Sequence, residues 1–144
     1  MSEDDKDFDD LIEEHFPYDG PHSRDTVLDA ARVISGLVRY LNNATGPGNG
    51  QETLQYGPTV YRLLGAISNA TQGLDQLLEQ VTDALDRVAD DLTLYDDRRG
   101  DHTGGDTAHM AAALVEEARR TLVAPRQRLD HAWQVTSHLG HDLS

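Results

Sequence analysis

Between Tyr56 and Leu92 the apolar residues recur at alternating spacings of three and four. Val60, Leu63, Leu64, Ile67, Leu74, Leu77, Leu78, Val81, Leu85, Val88 and Leu92 carry the pattern, and Thr71 is the polar residue that falls in phase. A phase held for about five heptads marks one face of a long helical path. Arg62, Asp75, Gln76, Glu79, Asp83, Asp86 and Asp90 fill the outward positions, so the path has a wet back. Pro58 suits the first turn of such a helix. Ser68, Asn69, Thr71 and Gly73 are weak helix formers. Because the phase runs through them unchanged, the pattern predicts one path kinked near Gly73 rather than a reversal there.

Two more helices follow from the same reading. Arg24 to Asn42 carries Val27, Leu28, Ala31, Ile34, Leu37, Val38 and Leu41 on one face, with Ser23 as N-cap and Asp25 in the first turn. Gly36 inside it suggests room for a close neighbour. The last helix is predicted from an Asp106 cap to Leu139, with Gly140 as its stop and a stripe of Met110, Leu114, Ala118, Leu122, Pro125, Leu129, Trp133, Thr136 and Leu139. Pro125 should kink or split it. If this helix runs antiparallel to the central one, Leu92 stands level with Asp106 and Gly73 with Pro125, so the two weak points coincide. The predicted fold is all-α: an antiparallel helical hairpin kinked near Gly73 and Pro125 with a third packed helix, four-helix-bundle-like. At 1.5 Å per residue the hairpin arms are about 50 Å long and the first helix about 28 Å. The shorter helix would leave part of the stripe uncovered, which predicts a homodimer closed by a two-fold axis.

Residues 1–22 read as an acidic, disordered leader and residues 23–144 as the helical domain. The first twenty residues hold nine carboxylates and one lysine, a composition that favours disorder. Within them Phe8, Leu11, Ile12 and Phe16 share one helical face, the form of a segment that folds onto a basic, apolar groove. Pro17, Gly20 and Pro21 end it.

Composition narrows the function classes. The chain has 144 residues and a formal net charge of −14, which disfavours direct nucleic-acid binding and anionic membranes and favours basic partners. No apolar run reaches the ~20 residues of a membrane span, and the N-terminus lacks the basic and apolar regions of a signal peptide. The expected location is the cytoplasm. The absence of cysteine removes disulfides, thiolate zinc sites and a thiol nucleophile.

Candidate chemistry is sparse. Gly46-Pro47-Gly48-Asn49-Gly50 is followed by Gln51-Glu52-Thr53, not by the Lys-Ser/Thr of a phosphate loop. The polar run Asp96 to Gly105 lacks the ligand spacing of a calcium loop. His131 and His138 lie about 10.5 Å apart along an ideal helix, too far to share an ion, and Gly140 interrupts His138 and His141. Glu116 and Glu117 are followed three residues on by Arg119 and Arg120, not by the His of a di-iron bundle. No nucleophile elbow is present. The expectation is a non-enzymatic protein-interaction module with no cofactor and no metal. Its alternatives are a metal-binding or enzymatic bundle, resting on the histidines, and an acidic nucleic-acid mimic. Arg119, Arg120, Arg126 and Arg128 form a basic island on this acidic chain. The candidate partner-binding residues are accordingly Phe8, Leu11, Ile12 and Phe16 in the leader and Arg119 and Arg126 in the island.

The runs RYLNNATG and VYRLLGAISNATQGLDQLLEQ, within residues 39–80, resemble small uncharacterised helical proteins of actinomycetes, often carried on mobile elements. Eleven arginines against one lysine, with abundant Ala, Gly and Asp, fit the same high-GC coding bias. The resemblance implies a helical fold and transfers no active-site residue.

Overall fold

The computed structural model describes residues 7–98 and 103–142. They are all-α: α1 (Phe8–His15), α2 (Arg24–Ala44), α3 (Gly50–Thr53), α4 (Gly57–Ala89), α5 (Gly104–Thr121) and α6 (Val123–Thr136), with no strand among the described residues. The chain divides into two compact units, one ending at Thr53 and the other beginning at Leu54.

In the first unit, Asp7 caps α1 by accepting from the Asp9 amide, and the acidic stretch that composition marks for disorder is helical from Phe8. Ser23 caps α2, as predicted, and Thr26 closes a reciprocal box with it. The glycine-rich segment after α2 spends its polar groups on the end of that helix. Asn49 Nδ2 donates to the Asn43 carbonyl at 3.0 Å and Thr53 Oγ1 to the Ala44 carbonyl at 2.7 Å. Both are carbonyls that a helix terminus leaves without an internal partner.

The second unit is the predicted antiparallel hairpin. α4 packs against both α5 and α6. It is one uninterrupted helix through Gly73, so the weak formers at 68–73 divide nothing. The other arm breaks instead: α5 ends at Thr121 and α6 starts at Val123, placing Pro125 in the first turn of α6, where its missing N–H costs no internal hydrogen bond. The predicted register holds. Gly65 lies against Trp133 and Gly57 against Leu139 and His141, the same pairing that sets Gly73 level with Pro125.

The helix faces are rotated from the predicted ones. On α4 the covered positions are Val60, Tyr61, Leu63, Leu64, Gly65, Ser68, Thr71, Asp75, Leu78, Thr82, Ala84, Leu85 and Ala89, with Gly57 at its start, so beyond Leu64 the covered face lies about one residue round from the apolar stripe. Ile67, Leu74, Leu77, Val81 and Val88 are exposed. On α5 the buried residues are Gly104, Ala108 and Ala112, while Met110, Leu114 and Leu122 from the predicted stripe are exposed. Leu129, Trp133 and Thr136 on α6 are half-buried as expected, and Leu139 is exposed. The fully buried positions of the seam are small: Gly65 makes room for the Trp133 indole, and Ser68, Ala108 and Ala112 pack without large side chains, while many of the larger ones flank the seam. A Cβ on Gly65 would stand 2.7 Å from Trp133 Nε1 and 2.9 Å from Cε2. The indole stacks on Tyr61 at 5.8 Å and 25°.

The start of α5 also differs. Thr103, not Asp106, is the N-cap, and Asp106 closes a reciprocal box as the third helical residue. A Cβ on Gly104 would fall 2.5 Å from the Leu94 carbonyl oxygen, so the helix begins where only glycine fits against the incoming loop.

Two outcomes test this seam. Gly65→Ala should lower the thermal midpoint, because overpacking costs about 1–3 kcal/mol against a helix-propensity gain of about 1 kcal/mol. It should also shift Trp133 emission as the ring leaves Tyr61; unchanged emission and midpoint would refute the contact. Ser68 is 1 % exposed and its hydroxyl has no hydrogen-bond partner among the described residues. Ser68→Ala should therefore raise stability by up to about 1 kcal/mol in urea denaturation.

Candidate interaction site

At the level where α5 breaks, a charged cluster closes the hairpin. Asp75, in mid-α4, receives Arg119 Nη1 at 3.3 Å from the end of α5 and Arg126 Nη2 at 3.4 Å from the first turn of α6. Arg119 also makes two 2.8 Å bonds to Glu116 through Nε and Nη2. Arg120 reaches Glu116 Oε1 at 3.1 Å, and Arg126 Nη1 donates to Gln72 Oε1 at 3.2 Å. The Arg119 hydrogen bonds hold the Glu116 carboxyl down, from 4.5 to about 2, and raise the Arg119 guanidinium above its ordinary value. Beside the cluster lies an apolar cavity of about 60 Å³, walled by Thr71, Leu74, Leu78, Leu122, Pro125 and Leu129. Two of the candidate partner-binding residues, Arg119 and Arg126, thus meet carboxylates of their own hairpin. Asp75, assigned to the wet back by its position in the pattern, is their shared partner.

The other candidates lie on α1 and at its end. Phe8 is 79 % exposed, Ile12 is exposed, and Leu11 and Phe16 are half-buried. The face predicted in the leader is therefore present, open at Phe8 and Ile12 and partly covered at Leu11 and Phe16. On α2 the apolar stripe is open too, with Val27 62 % and Leu37 58 % exposed and Ile34 and Val38 more than half exposed. No Cβ neighbour lies within 4 Å of Gly36.

The histidines are placed separately. His141 Nε2 accepts from the Gly57 amide at 2.8 Å, and its ring meets Tyr56 edge-on at 5.4 Å. Tyr56 gives α4 no side-chain cap, so a histidine from the far end of the chain satisfies one of that helix's orphan donors. Sequence reasoning paired His141 with His138 and missed this role; the missing cap residue before Gly57 was the available signal. His109 Nδ1 lies 3.0 Å from Asp86 Oδ1, joining α5 to α4. Among the described residues no group of three His, Asp or Glu is arranged to hold a metal ion, and no helix is long and apolar enough to cross a membrane.

In the loop after α4, Asp96 takes Arg98 in a two-pronged pair at 3.2 and 2.9 Å and Thr107 Oγ1 at 2.6 Å. Those bonds, Arg98 first, hold its carboxyl well below the usual range. Residues 99–102 of the calcium-like run lie outside the described residues. No family model, curated protein or solved structure matches the chain.

The charged cluster predicts an acid response. A carboxylate whose folded value is depressed stabilises the fold above its unfolded value and loses that contribution as pH falls through the folded one. Glu116→Gln should thus have a lower thermal midpoint than the native chain at pH 7, and the gap should narrow from about pH 4.5 downward and close near pH 2. A gap independent of pH would show that the Arg119 contact contributes nothing through charge.

Proposed function

We propose that this chain is a non-enzymatic protein-interaction module that presents helical faces to a protein partner. The observation that carries this reading is the open stripe of α2, where Val27, Ile34, Leu37 and Val38 line a 21-residue helix and are each more than half exposed. Isolated exposed apolar residues are ordinary, but a contiguous helical stripe of this length is the form of a helix-in-groove contact. The acidic, amphipathic α1 supports a partner whose apolar groove has a basic rim, as does the net charge of −14. The partner is a protein, rather than a nucleic acid or membrane, because that charge repels phosphate surfaces.

The test is comparative capture. The native chain and an Ile34→Glu/Leu37→Glu variant of equal helix content are used as bait in cytoplasmic extract of the source cell. A protein retained stoichiometrically by the native chain should be lost from the variant, and its retention should weaken with added salt. Identical recovery on both baits would reject α2 as the contact.

A further inference from the structure

α4 carries a second heptad beside its packed seam. Val60, Ile67, Leu74, Val81 and Val88 repeat at intervals of seven. Between them stand Leu63, Ala70, Leu77 and Ala84, alternately large and small. Strict threes and fours over this length make a coiled-coil seam, about 42 Å long at 1.5 Å per residue. Yet Ile67 is 37 % and Leu77 46 % exposed, and Ala70, Leu74, Val81 and Val88 are exposed as well, while Val60, Leu63 and Ala84 are half-buried. The seam lies about 100° round the helix from the face that holds α5 and α6, close to the angle between the two neighbours of any helix in a four-helix bundle.

We infer that this seam joins two copies of the chain, α4 against α4, antiparallel about a two-fold axis near Gln72. Three observations select a second copy as the occupant. First, the seam is self-complementary when reversed. Ala70 then meets the partner's Leu74 and Ile67 the partner's Leu77, and the outer layers set Leu63 on the partner's Val81 and Val60 on the partner's Ala84. Every core position within Val60–Ala84 finds an apolar mate, and each alanine faces a larger side chain. Second, the flank beside this seam reads Thr59, Ala66, Gly73, Gln80 and Arg87. It holds no carboxylate, on a chain of net charge −14, so two copies can meet there without like-charge repulsion. Third, Gly73 sits in the middle of α4 with nothing within 4 Å of a Cβ built on it. Glycine there costs about 1 kcal/mol of helix propensity and makes room for nothing among the described residues. In the antiparallel pair it faces the partner's Gly73 across the axis, where two backbones approach most closely. Helices in contact over this length bury on the order of 1,200 Å² in total, the lower end of stable interfaces. The surface is distinct from the α2 stripe, and its failure would leave the interaction reading of that stripe standing.

Light scattering of the full chain at tens of micromolar should give about 32 kDa, twice the 15.9 kDa chain. Leu77→Glu should halve that mass without changing helix content, and Val38→Glu on α2 should leave it unchanged. A native mass of one chain, or a dimer that survives Leu77→Glu and dissolves with Val38→Glu, overturns the inference. Register is tested on the otherwise native chain, which has no cysteine. Gly73→Cys should couple to itself through a short bis-maleimide, and Gln76→Cys, on the outer face of α4, should not. Equal coupling at both positions would overturn the antiparallel pairing.

Discussion

The second unit depends on small residues where α4 meets α5 and α6. Its most buried residues are Gly65, Ser68, Gly104, Ala108 and Ala112, none of which offers much apolar area. What they offer is proximity. Tyr61 and Trp133 can stack only because position 65 has no side chain, and α5 can start beside Leu94 only because position 104 has none. Dispersion between backbones and short side chains, summed over many contacts, takes the place of a thick layer of Leu and Val. The cost is that the large apolar residues of both arms are displaced to the flanks.

At the break between α5 and α6 that packing gives way to charge. Pro125 cannot continue the helix that precedes it, and the arm is cut at Leu122. A carboxylate facing this gap alone would be poorly placed, but Asp75 receives one arginine from each side of the break. The two short helices are thereby tied to one point on the long one. The same economy appears at the ends of the hairpin. His141 caps α4 from 84 residues away, and Asp96 ties the connecting loop to Thr107 in the first turns of α5.

A hairpin held together by small residues and ion pairs leaves its larger apolar side chains on the outside, and the α2 stripe of the first unit is open as well. The functional reading accordingly concerns these surfaces. The cavity at the break is about 60 Å³, far below the ~300 Å³ of a small-molecule site, and the wider hollow of about 550 Å³ beside Leu94, Tyr95 and Gly104 is a shallow one at the loop after α4.

The sequence by itself determined the helical class, the Ser23 cap of α2, the Pro58 start of α4, the break before Pro125 and the antiparallel register. Each depends on local rules: which residues close a turn, which remove a donor, and how many residues separate two level positions. The amphipathic face of α1 was legible for the same reason. The tertiary structure alone decided which way the helices turn. The periodic stripe marks the most apolar face of α4, but the face that packs is the one whose neighbours are small enough to let a second backbone in. That depends on Ala108 and Ala112, which lie on another helix, and on Trp133, which fills the space left at Gly65 from 68 residues away. Asp75 reads as a solvated carboxylate until Arg119 and Arg126 are brought to it, and His141 as a surface histidine until the uncapped start of α4 is set beside it. Periodicity records the polarity of each position along one helix; the fit of side chains between helices is a property of two, and it decided the core.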